Sequence, residues 1–203
     1  MKKYWLHFIT ITKHKWFVMQ ECFKVGLILQ GLLHDLSKYS PVEFFGSAKY
    51  FQGDSTPIAI EKAEKGYSIC WLHHKGHNKH HFEFWIDWKE EAQYCAPIPE
   101  KYILEMACDM IGASKAYSKG AFCKEAPLQY LEKNKAKFSM MGEAYNALER
   151  YLSNYAISGK LLPGHYGYCD GFNYATCKAN NNLDHCRKTY PGFLKSCSMG
   201  KDG

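Results

Sequence analysis

GLILQGLLHDLSKYSPVEFF, Gly26 to Phe45, is the stretch on which the fold turns. Residues 26–33 are apolar apart from Gln30, and they deliver His34 and Asp35 side by side, with Lys38 one turn later. An imidazole and a carboxylate at the end of an oily segment are costly to bury unless something binds them. A helix-start signal follows: Ser40 as N-cap, Pro41 at the first helical position and Glu43 closing a capping box. The spacing therefore predicts one helix over 26–38, ending near Tyr39, and another from Pro41 to Phe51. Neighbours on a helix diverge by about 100°, so His34 and Asp35 reach one ion only if it lies off the last turn.

Working outward, residues 4–24 predict a helix whose inward stripe holds His14, Phe17, Val18, Glu21, Cys22 and Val25. Downstream, Pro57 to Lys65 reads as a helix closed by Gly66. Tyr67 to His74 is a short apolar segment, and Lys75 to His81 is polar and turn-prone through Gly76 and Asn78. Phe82 to Gln93 is aromatic and expected to be helical. After Pro97 and Pro99, Glu100 to Tyr117 carries Ile103, Leu104, Ala107, Met110 and Ile111 at helical spacing. Pro127 to Tyr155 predicts one or two amphipathic helices. Beyond Ser158 periodicity is lost, and Cys169, Cys177, Cys186 and Cys197 lack the CxxC spacing of a zinc site. The chain reads as all-α: a helical domain over 1–157 and an irregular tail over 158–203.

Composition narrows the function. The length suits one domain, and 46% hydrophobic residues supply a core. Lysine and arginine number 26 against 20 acids, a net +6 spread along the chain. That balance suits solubility or a small anionic substrate, and nucleic acid is not an expected partner. Met1 to Thr12 has no long apolar core of a signal peptide, and Val25 to Leu33 is too short to span a bilayer. The expectation is a cytoplasmic protein with reduced thiols and no membrane partner. Oligomeric state is not legible.

Two groups of side chains carry chemistry. His34 and Asp35 together offer a nitrogen and an anionic oxygen, a mixture that suits Mn, Fe, Zn, Ni or Co. His14, on the inward stripe of the first helix, and Asp109, between Cys108 and Met110 in an apolar helix, are their expected partners. The second group lies in HHKGHNKHHFEFW (73–85), where His73, His74, His77, His80 and His81 supply half of the chain's 10 histidines. His74 with His80 or His81 would bind a second ion, or as imidazolium would bind phosphate, with Asn78 donating through its amide. Lys38 reads either as a phosphate contact or as a favourable charge at a helix C-terminus. The aromatic residues Trp71, Phe82, Phe84, Trp85 and Trp88 read first as core and second as a stacking surface for a base.

The order His14, His34-Asp35, Asp109 resembles the HD-domain superfamily of metal-dependent phosphohydrolases. HDLSK is similar to the HDxGK variant of its phosphodiesterase branches, with Ser37 where glycine is common. The likeness covers about residues 10–120 and is closest to short HD-like families of unassigned function. It implies an HD-like helical bundle in which His14, His34, Asp35 and Asp109 ligate one divalent transition metal, with His74, His80 and His81 available to a second. It implies a catalytic or phosphate-contacting role for Lys38, beside which His74 and Asn78 stand as the catalytic candidates of the histidine cluster. The activity implied is hydrolysis of a phosphomonoester or phosphodiester, nucleotides included, by a metal-activated water. A mixed-valent diiron oxygenase on the same scaffold and a non-catalytic metal- or nucleotide-binding protein are the alternatives.

Overall fold

In a computed structural model, which describes residues 2–53, 56–118 and 120–161, the chain is an all-α bundle with one small hairpin. Its elements are α1 (Lys2–Lys24), α2 (Ile28–Leu33), α3 (Pro41–Tyr50), α4 (Pro57–Lys65) and α5 (Ile69–His77), then strands β1 (Ile86–Lys89) and β2 (Ala92–Cys95). The bundle is completed by α6 (Glu100–Tyr117), α7 (Ala126–Lys133), α8 (Lys135–Phe138) and α9 (Glu143–Ser158). No helix among the described residues is long and apolar enough to cross a membrane.

The core forms where the apolar stripes of α1, α6 and α9 meet. Val18 and Cys22 join Ala107, Cys108 and Ile111, and Leu148 and Leu152 close the cluster. Gly112 sets the α1–α6 distance. A Cβ there would lie 2.4 Å from Val18 Cγ2 and 2.8 Å from Val18 N, so the helices touch backbone to side chain without it. Val18 lies one turn beyond His14 and Gly112 one turn beyond Asp109, so this close approach brings those two side chains together. Gly46 does the same for α3 and α5, since a Cβ there would meet Cys70 Sγ at 2.4 Å.

Four local expectations are corrected. The helix over 26–38 is broken: α2 ends at Leu33, His34 is extended (φ −50, ψ 126), and Asp35 is left-handed (φ 55, ψ 24). A 3-10 turn follows over Leu36–Tyr39. A continuous helix would hold the two side chains about 100° apart, whereas the break turns both toward one centre. Aspartate is one of the few residues that visits the left-handed region. The expected helix over 82–93 is a 3-10 turn, Phe82–Trp85, running into the antiparallel hairpin β1–β2, with Ile86 opposite Cys95 and Lys89 opposite Ala92. Its two-residue turn has Glu90 at φ 55. Ile86, Trp88 and Tyr94 favour a pleated surface, and a tight turn lets two such short runs pair.

The capping box is half made. Ser40 Oγ accepts from Glu43 N at 3.4 Å, but the Glu43 carboxylate turns to His73 and His74. Residues 127–155 form three helices rather than one or two, with α9 restarting after Gly142 at φ 55. The expected tail, with its four cysteines, lies outside the described residues from 162 onward.

Candidate metal centre

Asp35 stands at the middle of the centre, 1% exposed, and its two oxygens face different sets of donors. Around Oδ2 lie His14 Nε2 at 3.2 Å and His34 Nε2 at 3.3 Å, and both imidazoles also approach Asp109 Oδ1, at 3.1 and 3.4 Å. Around Oδ1 lie His74 Nε2 at 3.3 Å and His80 Nε2 at 3.4 Å, with His81 Nε2 a further 2.9 Å from His74 Nε2. Two groups of four potential ligands therefore share one carboxylate: His14, His34, Asp35 and Asp109, and Asp35, His74, His80 and His81. The five imidazoles and two carboxylates come from five pieces of the fold. His14 comes from α1, the His34-Asp35 pair from the break after α2, His74 from α5 and Asp109 from α6, while His80 and His81 come from the loop after α5.

A second layer of carboxylates aims these imidazoles. Glu105, on α6 one turn before Asp109, accepts from His34 Nδ1 at 3.0 Å and from His80 Nδ1 at 3.2 Å through the same oxygen. Glu43, on α3, accepts from His74 Nδ1 at 2.8 Å and from His73 Nδ1 at 2.6 Å. A proton fixed on Nδ1 leaves Nε2 free, with its lone pair directed into the centre. Lys15 Nζ donates to the carbonyls of Leu32 and His34, 2.7 Å each, and secures the broken turn.

The donor set fits a metal on its own geometry. His34 Nε2, His80 Nε2 and Asp35 Oδ1 are buried and make no hydrogen bond among the described residues. Buried polar atoms rarely go unpartnered, and all three face the same space. Charge points the same way. Burial would raise Asp35 and Asp109, but neighbouring imidazoles, joined at Asp35 by Lys38, hold both well below the usual carboxylate range. Burial also opposes ionisation of Glu43 and Glu105, and their histidine partners lower both. Burial alone would lower His34 and His80, yet the surrounding carboxylates raise them; at His81 and His74 burial prevails and both are lowered. The carboxylates thus favour the charged forms of His34 and His80, and a metal ion would take over that counter-charge in competition with their protons.

Lys38 Nζ lies 2.5 Å from Asp35 Oδ2, at the edge of the centre with 27% of its side chain exposed. Burial opposes its charge, but Asp35 and Asp109 raise it above its ordinary value. The Asn78 amide nitrogen donates to Ser37 Oγ at 2.8 Å and to the His74 carbonyl at 2.7 Å, so it ties the loop to α5 beside His74. His74 belongs with the second group of ligands, not apart from it. His73 and His77 stay outside both groups, and His77 Nδ1 donates to the His73 carbonyl at 2.7 Å. Trp71 packs edge-on against His81, ring centroids 4.9 Å apart, which makes it a wall of the site. The sequence reading places Glu43 only as a cap and does not single out Glu105. Glu105 had the signal used for Asp109, an acid inside the apolar run of α6, and stands four residues before it on the same face.

A family model described as a family of unknown function, DUF5662, matches residues 3–155. The chain belongs to that family. The matched span contains every residue of the centre, from His14 to Asp109. No curated protein and no solved structure matches the chain.

Proposed function

We propose that this DUF5662 protein is a metal-dependent phosphohydrolase of the HD type, acting on a phosphomonoester or phosphodiester, nucleotides included. The observation that carries the reading is Asp35, a buried carboxylate with two imidazoles and the Asp109 carboxylate gathered at one oxygen and three imidazoles at the other. His14, His34 and Asp109 would hold one divalent ion with Asp35, and His74, His80 and His81 the other. Such ions supply Lewis acidity toward a phosphoryl oxygen and bring the pKa of water toward neutrality.

The protein's own groups do the rest. Glu105 and Glu43 accept from Nδ1 of three ligand imidazoles and so aim their Nε2 atoms into the centre. Lys38, charged and partly exposed at the rim, is placed to donate to the non-bridging oxygens of a phosphoryl group and to offset charge that grows there. Trp71 forms the wall beside His81. The diiron oxygenase reading has one observation in its favour, the three imidazoles gathered on the Oδ1 side. Lys38 on the shared carboxylate favours phosphate chemistry instead.

The test is a panel of p-nitrophenyl phosphate, bis-p-nitrophenyl phosphate and nucleotides, each with Mn, Fe, Zn, Ni or Co. Turnover that requires one of these metals and is lost in Asp35→Ala supports the reading. Metal-loaded protein that hydrolyses none of them but consumes oxygen with iron would replace it.

A further inference from the structure

Helix α1 is apolar on two opposite sides, and the described residues cover only one. His7, His14 and Val18 face the core. On the far side, Trp5 and Trp16 stand three turns apart with 62% and 54% of their surface exposed, and Ile9 and Phe23 continue the line. Helix α2 repeats the pattern. Gly31 lies against α1, where a Cβ would be 2.9 Å from Cys22 Cβ, and Leu29 and Leu33, two residues to either side, turn outward at 69% and 61% exposed. Phe23 joins the two parts, since its ring lies 3.1 Å from where a Cβ on Gly31 would stand. A helix apolar all round is ordinarily enclosed, and an exposed apolar patch of this extent marks a contact surface.

The charges around the patch identify what it meets. Among the described residues 2–53 the acids are Glu21, Asp35 and Glu43, and all three are buried. Lys2, Lys13 and Lys24 are exposed along one border of the stripe. A second copy of the chain would set these lysines against each other. An anionic bilayer complements them, and tryptophan with bordering lysine is the composition of a helix lying in the membrane interface. We infer that the outer face of α1 and α2 docks on the surface of a membrane containing anionic lipid. The sequence led to no membrane partner because no segment can span, but a helix lying flat needs no span. The Leu33-to-Leu36 edge of this face brackets His34 and Asp35, so docking would set the metal centre beside the lipid surface.

Flotation of the full-length protein with phosphatidylglycerol–phosphatidylcholine vesicles tests this, with pure phosphatidylcholine vesicles as the comparison. The protein should float with the anionic vesicles only, and high salt should release it. Trp16→Ser combined with Leu29→Ser should reduce the bound fraction at least tenfold, and each of Lys2→Gln and Lys13→Gln should weaken binding about fivefold. Trp88→Ser, at an equally exposed tryptophan on β1, should change nothing. Because these side chains are exposed, circular dichroism should show all variants folded. Absence of flotation with anionic vesicles would overturn the inference. So would flotation indifferent to Trp16 and Leu29, or a solution dimer that the same double substitution dissociates.

Discussion

Glu105→Gln should loosen both halves of the centre at once. One oxygen of Glu105 takes the Nδ1 protons of His34 and His80 at 3.0 and 3.2 Å, and these imidazoles belong to different ligand groups. Losing such an outer carboxylate lowers metal affinity about 10–100-fold, roughly 1.4–2.7 kcal/mol for each ion. Glutamine keeps the shape and an acceptor oxygen, so the fold should survive while the charge is lost. Glu43→Gln is the comparison, because its oxygens serve His73 and His74 and reach only the second group. Competition against a chromogenic chelator, with Mn or Zn and with the fold checked by circular dichroism, resolves the two affinities. Glu105→Gln should weaken both, and Glu43→Gln one. If Glu105→Gln weakens a single ion, or neither, the argument that this carboxylate joins the two halves is wrong.

Other expectations follow from the same geometry. Gly112→Ala should force α1 from α6, cost roughly 1–3 kcal/mol by overpacking and lower metal affinity by parting His14 from Asp109, read from the thermal midpoint and the chelator assay. His7 is buried against Phe44 and Phe51, and that burial, with Lys38 nearby, lowers its pKa to about 4. Its unfolded value is higher, so its contribution is present above pH ~6.5 and is lost as pH falls through that window toward 4, about 3 kcal/mol in all. Urea denaturation of His7→Leu against the parent chain should show a shallower acid loss by that amount, and parallel curves would refute it. Because the surrounding carboxylates raise His34 and His80 above the ordinary imidazole value, metal loading should displace protons from them and strengthen as pH rises. Calorimetry in buffers of differing ionisation enthalpy measures the release.

Several parts of the centre were legible as sequence because a simple cost exposes them. His34-Asp35 ends an apolar run, Asp109 interrupts another, and His14 lies on the inward stripe of α1, so each asks for a partner. The helix Glu100–Tyr117 was readable to the residue because its apolar period is unbroken. The left-handed turn at Asp35 was not, since nothing local forbids the helix from continuing, and only the convergence of distant donors favours the break. The hairpin over 86–95 escaped because its strands are four residues each, too short to show alternation. Glu43 was taken for a capping residue on spacing alone, while its carboxylate answers to histidines 30 positions away. The crowding of His74, His80 and His81 in sequence also misleads. The turn at Asn78, anchored to Ser37, folds them back onto Asp35.

The central claim is that Asp35 is the shared corner of two ion sites, and metal content with electron paramagnetic resonance of the manganese-loaded protein tests it most directly. The parent chain should bind two ions per molecule with an exchange-coupled spectrum, and Asp35→Ala should lose both the coupling and the bound metal. A single uncoupled ion, or an Asp35→Ala protein that keeps two coupled ions, would contradict it.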